Sequence, residues 1–336
     1  MVKLGVLDQV FVGEGKTAAD ALRESTRLVR AAESFGYSRF WVSEHHGMRA
    51  IAFSSPEVLI AHLAAATSRI RVGAGGIMLP HYSAYKVAEN FRLLEALHPG
   101  RIDLGLGRAP GGMPISTKAL QENKYVDVDQ YPQQVSDLIG FLHEAMPAGH
   151  PYEKLLAAPS IPTAPEIWLL GSSDESAKIA ARLGTSYAFA EFFGTPGGRE
   201  AIRYYLDHFE PNPLLPDRPR TMIATIAICA ETEEEADRLA KSGDLLFLGV
   251  RTGKEMPFLP SVQTAVDYPY SSAEQVLVRE IRLRKAVGTP AQVKERLLKL
   301  SEEYNAEEIL INSPIHDERA RIRSYELIAE AFGIRH

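Results

Sequence analysis

The fold this sequence predicts is α/β, a (β/α)8 TIM barrel. Two observations carry that expectation. Short apolar runs alternate with helix-period segments along the chain, the pattern of a parallel sheet with crossover helices. Eight such runs can be counted, the number that closes this barrel. A doubly wound open sheet is the alternative that the pattern alone leaves. The reading is of a single domain over residues 1–336, with insertions after strands four and seven.

The elements follow in order. Residues 2–8 form the first apolar strand. Thr17 or Asp20 caps a helix to Phe35, whose apolar face holds Leu22, Leu28, Val29 and Ala32, and Gly36 ends it. Residues 37–44 form the second strand, with the aromatic and β-branched run Phe40, Trp41, Val42. Pro56 opens the next helix, where its missing N–H costs little, and the helix runs to about residue 67. A third strand spans 70–78 and is interrupted by Gly73, Gly75 and Gly76. A helix over 84–97 stops at Pro99-Gly100, and 102–107 is the fourth strand. The later half repeats the pattern more loosely, with a helical segment at 131–146 and strands at 166–170, 186–190, 222–230 and 309–312. Helices are expected at 175–183, 196–209, 232–248 and 317–332. Two segments break the repeat, 110–130 and 249–272. The second is rich in proline and aromatic residues and reads either as a lid or as a surface excursion.

Bulk properties narrow the function. The chain is 45% hydrophobic and 24% charged, with a formal net charge of −6 and no long basic block. That argues against nucleic acid or an anionic membrane as a partner. No apolar run approaches the roughly 20 residues of a membrane span, and the N-terminus lacks a signal-peptide pattern, so a cytoplasmic protein is expected. The single cysteine, Cys229, lies in an apolar run and reads as a buried thiol.

Three clusters follow strands. Glu44-His45-His46 ends the second strand and is followed by Gly47. Alternation along a strand lets only one of the two histidines face the barrel. Zinc is the competing reading, but His62 and His81 fall on a helix and a loop, and no metal is expected. The second cluster is Gly105-Leu-Gly-Arg-Ala-Pro110, which fails the dinucleotide fingerprint because its sixth residue is proline. Its informative member is Arg108, which either grips a phosphate or serves as an ordinary surface arginine. The third is Gly171-Ser172-Ser173-Asp-Glu-Ser176 at a helix start, either an anion site or ordinary capping. Gly73, Gly75 and Gly76 leave room for a flat group against the backbone, or mark a bulge.

Taken together, Trp41-Val-Ser-Glu-His-His46, Gly73-Ala-Gly-Gly-Ile-Met-Leu-Pro80, Pro99-Gly-Arg-Ile-Asp-Leu-Gly-Leu-Gly-Arg-Ala-Pro110, Trp168-Leu-Leu-Gly-Ser-Ser173 and Gly288-Thr-Pro290 carry a resemblance. The chain resembles the bacterial-luciferase-like flavin monooxygenases. The resemblance implies a TIM barrel that binds FMN, with a separate flavin reductase supplying the reduced form. It implies that reduced FMN and O2 oxidise an organic substrate through a flavin C4a-peroxide, while Phe11, Met48, Phe53 and Met113, in the loops at 10–15, 47–53 and 110–118 that are expected to wall the pocket with 249–272, point to a small apolar one. It further implies acid/base work for His45, with Glu44 orienting a histidine. Arg108, Gly171, Ser172, Ser173 and Ser176 would hold the flavin phosphate, and Gly75 and Gly76 would lie under the ring. A non-proline cis peptide at 75–76 or 76–77, a homodimer through the early helices and a lid at 249–272 are also implied. Where light-emitting members carry a cysteine this chain has Gly107, which argues against light emission. A deazaflavin (F420)-dependent hydride-transfer reductase and a non-catalytic flavin-binding protein are the alternatives.

Overall fold

The computed structural model describes residues 2–124 and 127–334. Its strands are β1 (Lys3–Asp8), β2 (Arg39–Val42), β3 (Arg71–Met78), β4 (Ile102–Gly107), β5 (Glu166–Gly171), β6 (Ser186–Ala190), β7 (Thr221–Cys229), β8 (Ala286–Gly288) and β9 (Glu308–Asn312). All pair in parallel. β1 to β7 and then β9 close on one another, because β6 pairs with β7, β7 with β9, and β9 with β1. This is the eight-stranded barrel. β8 stands outside it, paired with the far end of β7 at Ala227–Cys229.

The helices α1 (Ala18–Phe35), α2 (Pro56–Ala65), α3 (Ala84–Leu97), α4 (Pro114–Leu120), α5 (Tyr131–Leu142), α6 (Asp174–Leu183), α7 (Gly198–Asp207), α8 (Glu233–Thr252), α9 (Val262–Asp267), α10 (Ser272–Leu283), α11 (Pro290–Glu303) and α12 (Glu318–Phe332) surround the barrel. Their ends show why they start and stop. Thr17 and Asp20 form a reciprocal capping box on α1, and Gly36 closes it in the left-handed conformation at φ 90°. The acidic turn Glu233–Glu235 opens α8, where it complements the helix dipole.

Strand alternation sorts the side chains into two cores. Val6, Phe40, Val42, Val72, Leu104, Ile167 and Ile309 face outward into the helix layer. Leu7, Trp41, Trp168, Met222 and Leu310 fill the barrel interior. Below them lies an ionic plug at the strand starts. Arg39 pairs with Asp103 at 2.6 Å and Glu308 at 2.8 Å, and Trp41 Nε1 donates to Asp103 at 2.8 Å. The Arg39 guanidinium also lies 5.1 Å from the Trp168 ring centre. Plug and tryptophans seal the N-terminal end and leave the C-terminal end open.

The region after β7 is where the structure adds most to the sequence reading. α8 continues to Thr252, so the expected excursion begins as helix. The elements α9, α10, β8 and α11 had no place in the expected order. α9 and α10 pack Ala265, Leu277, Val278 and Ile281 against Leu245 and Leu248 of α8. This buries a face of α8 that a plain βα unit would leave bare.

Candidate active site

A cavity of about 570 Å3 opens at the C-terminal end of the barrel. β2 stops at Val42, short of the expected 44, so Ser43 to His46 belong to the loop. The loop sends His45 to the cavity and draws Glu44 and His46 together. Glu44 is fully buried, with one carboxylate oxygen 2.6 Å from His46 Nε2. It accepts from the Tyr82 hydroxyl at 2.7 Å and from the Met78 backbone N–H at 2.9 Å. The His46 backbone N–H donates to the Gly111 carbonyl at 2.9 Å. Glu44 and His46 thus clamp the loop after β2 to those after β3 and β4, and the histidine that Glu44 orients is His46.

His45 lines the cavity. Burial pushes its imidazole down to about 4. The nearby Gly111 carbonyl opposes that shift and the neighbouring His46 adds to it. The ring is therefore neutral near pH 7, able to take up a proton at one nitrogen and give one from the other.

Gly75 and Gly76 form part of the cavity wall and are joined by a cis peptide. Here the register of β3 against β4 shifts between Ala74 and Ile77. A Cβ on Gly75 would stand 2.8 Å from the Trp41 ring, and one on Gly76 would stand 2.7 Å from the Gly105 carbonyl oxygen. No side chain fits at either position, so the cavity is bounded there by bare backbone, a surface that suits a planar ring.

A polar end of the cavity follows β4 and β5. Arg108 lines the cavity with Gly171, Ser172, Ser173 and Ser176. Among the described residues no carboxylate comes within ion-pair distance of Arg108. Ser173 sits at the N-cap of α6 and makes no side-chain capping bond, so ordinary capping does not account for its hydroxyl. Ser176 is different. It is buried, donates to the Ser173 carbonyl at 2.7 Å and meets the Tyr187 hydroxyl at 3.0 Å. A Cβ on Gly171 would fall 1.9 Å from Ser176 Oγ, so the turn closes only over glycine. Ser176 and Tyr187 shape the turn, while Arg108, Ser172 and Ser173 line the cavity at the start of α6. Asp174 points away and pairs with Lys178 at 2.9 Å.

The apolar wall departs from the sequence reading. The loops at 10–15, 47–53 and 110–118 were expected to supply it through Phe11, Met48, Phe53 and Met113. Of these segments Pro110 and Gly111 line the cavity, while Met48 and Met113 are exposed and Phe11 packs with Ala50, Leu246 and Leu259. The wall comes instead from Met78, Val128, Leu170, Ala190, Phe192 and Phe193. The two phenylalanines form a short turn after β6 with ring centres 4.5 Å apart. No residue of 249–272 lines the cavity. Leu259 instead exchanges backbone hydrogen bonds with Val12 and Glu14 after β1. Gln9 and Asn312 also went unread in the sequence, although both follow the strand-end rule that found His45.

A neutral histidine, a wall of bare backbone and Arg108 with the serine turn meet in one cavity at the strand ends of a (β/α)8 barrel. The chain belongs to the luciferase-like monooxygenase family, whose model matches residues 2–306. It is an oxidoreductase of that class. It is 51% identical to the Bacillus subtilis (strain 168) protein YwcH, over 99% of this chain and 100% of that one. It is 39% identical to the N-acetyl-S-alkylcysteine monooxygenase of the same organism, over 98% of each. The crystal structure of apo-MsnO8 superposes with a TM-score of 0.90 at 40% identity, over 99% of each chain. The fold alone is shared with the FMN-bound oxygenating constituent of 3,6-diketocamphane monooxygenase (TM-score 0.71, 20% identity, 98% of each chain). It is also shared with an F420-dependent secondary alcohol dehydrogenase (TM-score 0.67, 13% identity, 100% of this chain and 99% of that one). Among the described residues no helix is long and apolar enough to cross a membrane, and no group of His, Cys, Asp or Glu is arranged to hold a metal ion.

Proposed function

We propose that this protein is an FMN-dependent monooxygenase that uses reduced FMN and O2 to oxidise a small, mainly apolar organic molecule. The observation that carries the reading is Arg108, without a carboxylate partner among the described residues, lining one cavity with the serine turn at α6. A guanidinium beside free hydroxyls and helix N–H groups fits a phosphate dianion. The bare backbone at Gly75-Gly76 fits the flavin ring, so the residues present suit the whole cofactor.

Arg108, Ser172 and Ser173 would hold the phosphate, with Gly171 and Ser176 shaping their turn. Reduced FMN supplies the electrons that O2 requires. His45, kept neutral by burial, takes up or releases a proton at its ring nitrogens. Glu44 acts by fixing the loop that carries His45. The apolar wall excludes water from the reacting centre and favours an apolar substrate. The relative that acts on N-acetyl-S-alkylcysteines makes a thioether of that type the first compound to test.

A separate reductase supplies the reduced flavin in this reading, and two copies of the chain associate. Val58 on α2 and Leu93 and Leu97 on α3, all more than half exposed, support an apolar contact between copies through the early helices.

The test is to mix the protein with chemically reduced FMN, O2 and an N-acetyl-S-alkylcysteine panel, in wild type and His45→Ala. Substrate-dependent product in wild type, lost in the variant while reduced FMN still binds, supports the reading. Consumption of reduced F420 instead of reduced FMN would replace it with hydride transfer. FMN binding with no turnover on any substrate class would leave a flavin-binding protein.

A further inference from the structure

Gln9 is the first residue after β1, on the same side of the chain as Leu7, and its side chain is buried at the cavity. On one flank Asn312 Nδ2, at the end of β9, donates to Gln9 Oε1 at 2.8 Å. On the other flank Gln9 Nε2 stands 3.4 Å from His45 Nε2. An amide nitrogen only donates, and a neutral imidazole has one donor and one acceptor nitrogen. With its oxygen engaged by Asn312, Gln9 presents an N–H to His45 Nε2, which is then the accepting nitrogen, and the ring proton lies on Nδ1.

The chain of amides has a second arrangement with the same number of bonds. If both amides turn over, Asn312 Oδ1 accepts from Gln9 Nε2, and Gln9 Oε1 accepts from a protonated His45 Nε2. The two arrangements differ in what Asn312 leaves unpaired. In the first its Oδ1 is buried without a partner. In the second its NH2 group would be, and buried N–H groups without partners are rarer than carbonyl oxygens in that state. The first is therefore the resting arrangement, and the second becomes available when Nε2 gains a proton.

We propose that Gln9, held by Asn312, is a positioning residue for His45. The pair keeps Nε2 as the proton-accepting atom in the resting site and turns over to stabilise it once protonated. The proposal rests on the proton-transfer role given to His45 above. It adds which nitrogen works and which side chains decide it.

The test uses full-length protein labelled with 15N-histidine, without cofactor, and long-range 1H–15N correlation, with His45 assigned by the His45→Gln variant. Wild type is expected to show an Nδ1–H tautomer with an unprotonated Nε2. Asn312→Asp removes the donor to Gln9 and offers an acceptor in its place, so Gln9 turns and the tautomer shifts to Nε2–H. Gln9→Leu removes the amide at Nε2, and the share of the Nε2–H tautomer rises above that of wild type. One tautomer unchanged across wild type and both variants would overturn the proposal, and so would Nε2–H in wild type. The measurement needs no turnover, so an inactive catalytic role for His45 and an inactive amide chain give different results.

Discussion

Replacing Arg108 with alanine isolates the proposed phosphate site. The side chain has no carboxylate partner among the described residues, so its loss leaves no buried anion uncompensated and should leave the melting temperature nearly unchanged. What the variant removes is the interaction with the ligand. A hydrogen bond to a charged group contributes about 1.5–3 kcal/mol, and the α6 N-terminus with Ser172 and Ser173 remains to hold part of the phosphate. The expected loss is therefore about 2–3 kcal/mol, which at about 1.4 kcal/mol per decade is roughly 30- to 150-fold in Kd. Titration with FMN, oxidised and reduced, reads this directly by flavin fluorescence and calorimetry. Riboflavin, with the same ring and no phosphate, is the control. If Arg108 binds the phosphate, Arg108→Ala weakens FMN and leaves riboflavin within a few-fold. Arg108→Lys should recover part of the loss, because an ammonium supplies the charge without the planar fork. Equal weakening of FMN and riboflavin, or no weakening of either, would refute the reasoning.

Other perturbations test the remaining parts. His45 is held well below the ordinary histidine value of about 6.5. In the window between that value and about 4 the unfolded chain binds the extra proton, so stability falls as pH drops from about 6.5 towards about 4. Denaturant unfolding against pH should show this slope reduced in His45→Gln. Gly76→Ala drives a Cβ onto the Gly105 carbonyl and should lower stability by about 1–3 kcal/mol, read as a lower urea midpoint at unchanged m-value. Glu44→Gln leaves one end of the amide facing a like partner among Met78 N–H, Tyr82 and His46, and should cost about 1–3 kcal/mol. Its hydrogen exchange should rise first in the loops after β2 and β4. His45→Ala should abolish substrate oxidation and change reduced-FMN affinity by less than about threefold, as a stopped-flow titration would show.

The sequence by itself determined a parallel α/β repeat of eight strands, and the pairing of β9 with β1 and β7 decided for the closed barrel over an open sheet. All eight barrel strands were legible, because parallel strands buried on both faces are continuous apolar runs, and glycine, proline and capping residues mark the ends of the elements between them. The candidate residues of the site were legible too, since in a barrel the residues just after each strand gather at one end. Tertiary structure decided the rest, because it depends on which side chains meet. Nothing in Glu44-His45-His46 says that Glu44 goes to His46. Tyr82 and Met78 decide that by closing a pocket around the carboxylate. Ser176 looks in sequence like its neighbours, yet Tyr187 and the Ser173 carbonyl draw its hydroxyl inward. Phe192 and Phe193 line the site because a short turn after β6 aims them there, and no periodicity encodes a single turn. β8 is three residues long, too short to carry a pattern, and pairs only because β7 runs past the barrel and offers it an edge. Gln9 and Asn312 are 303 positions apart, and closure of β9 onto β1 is what places one amide against the other.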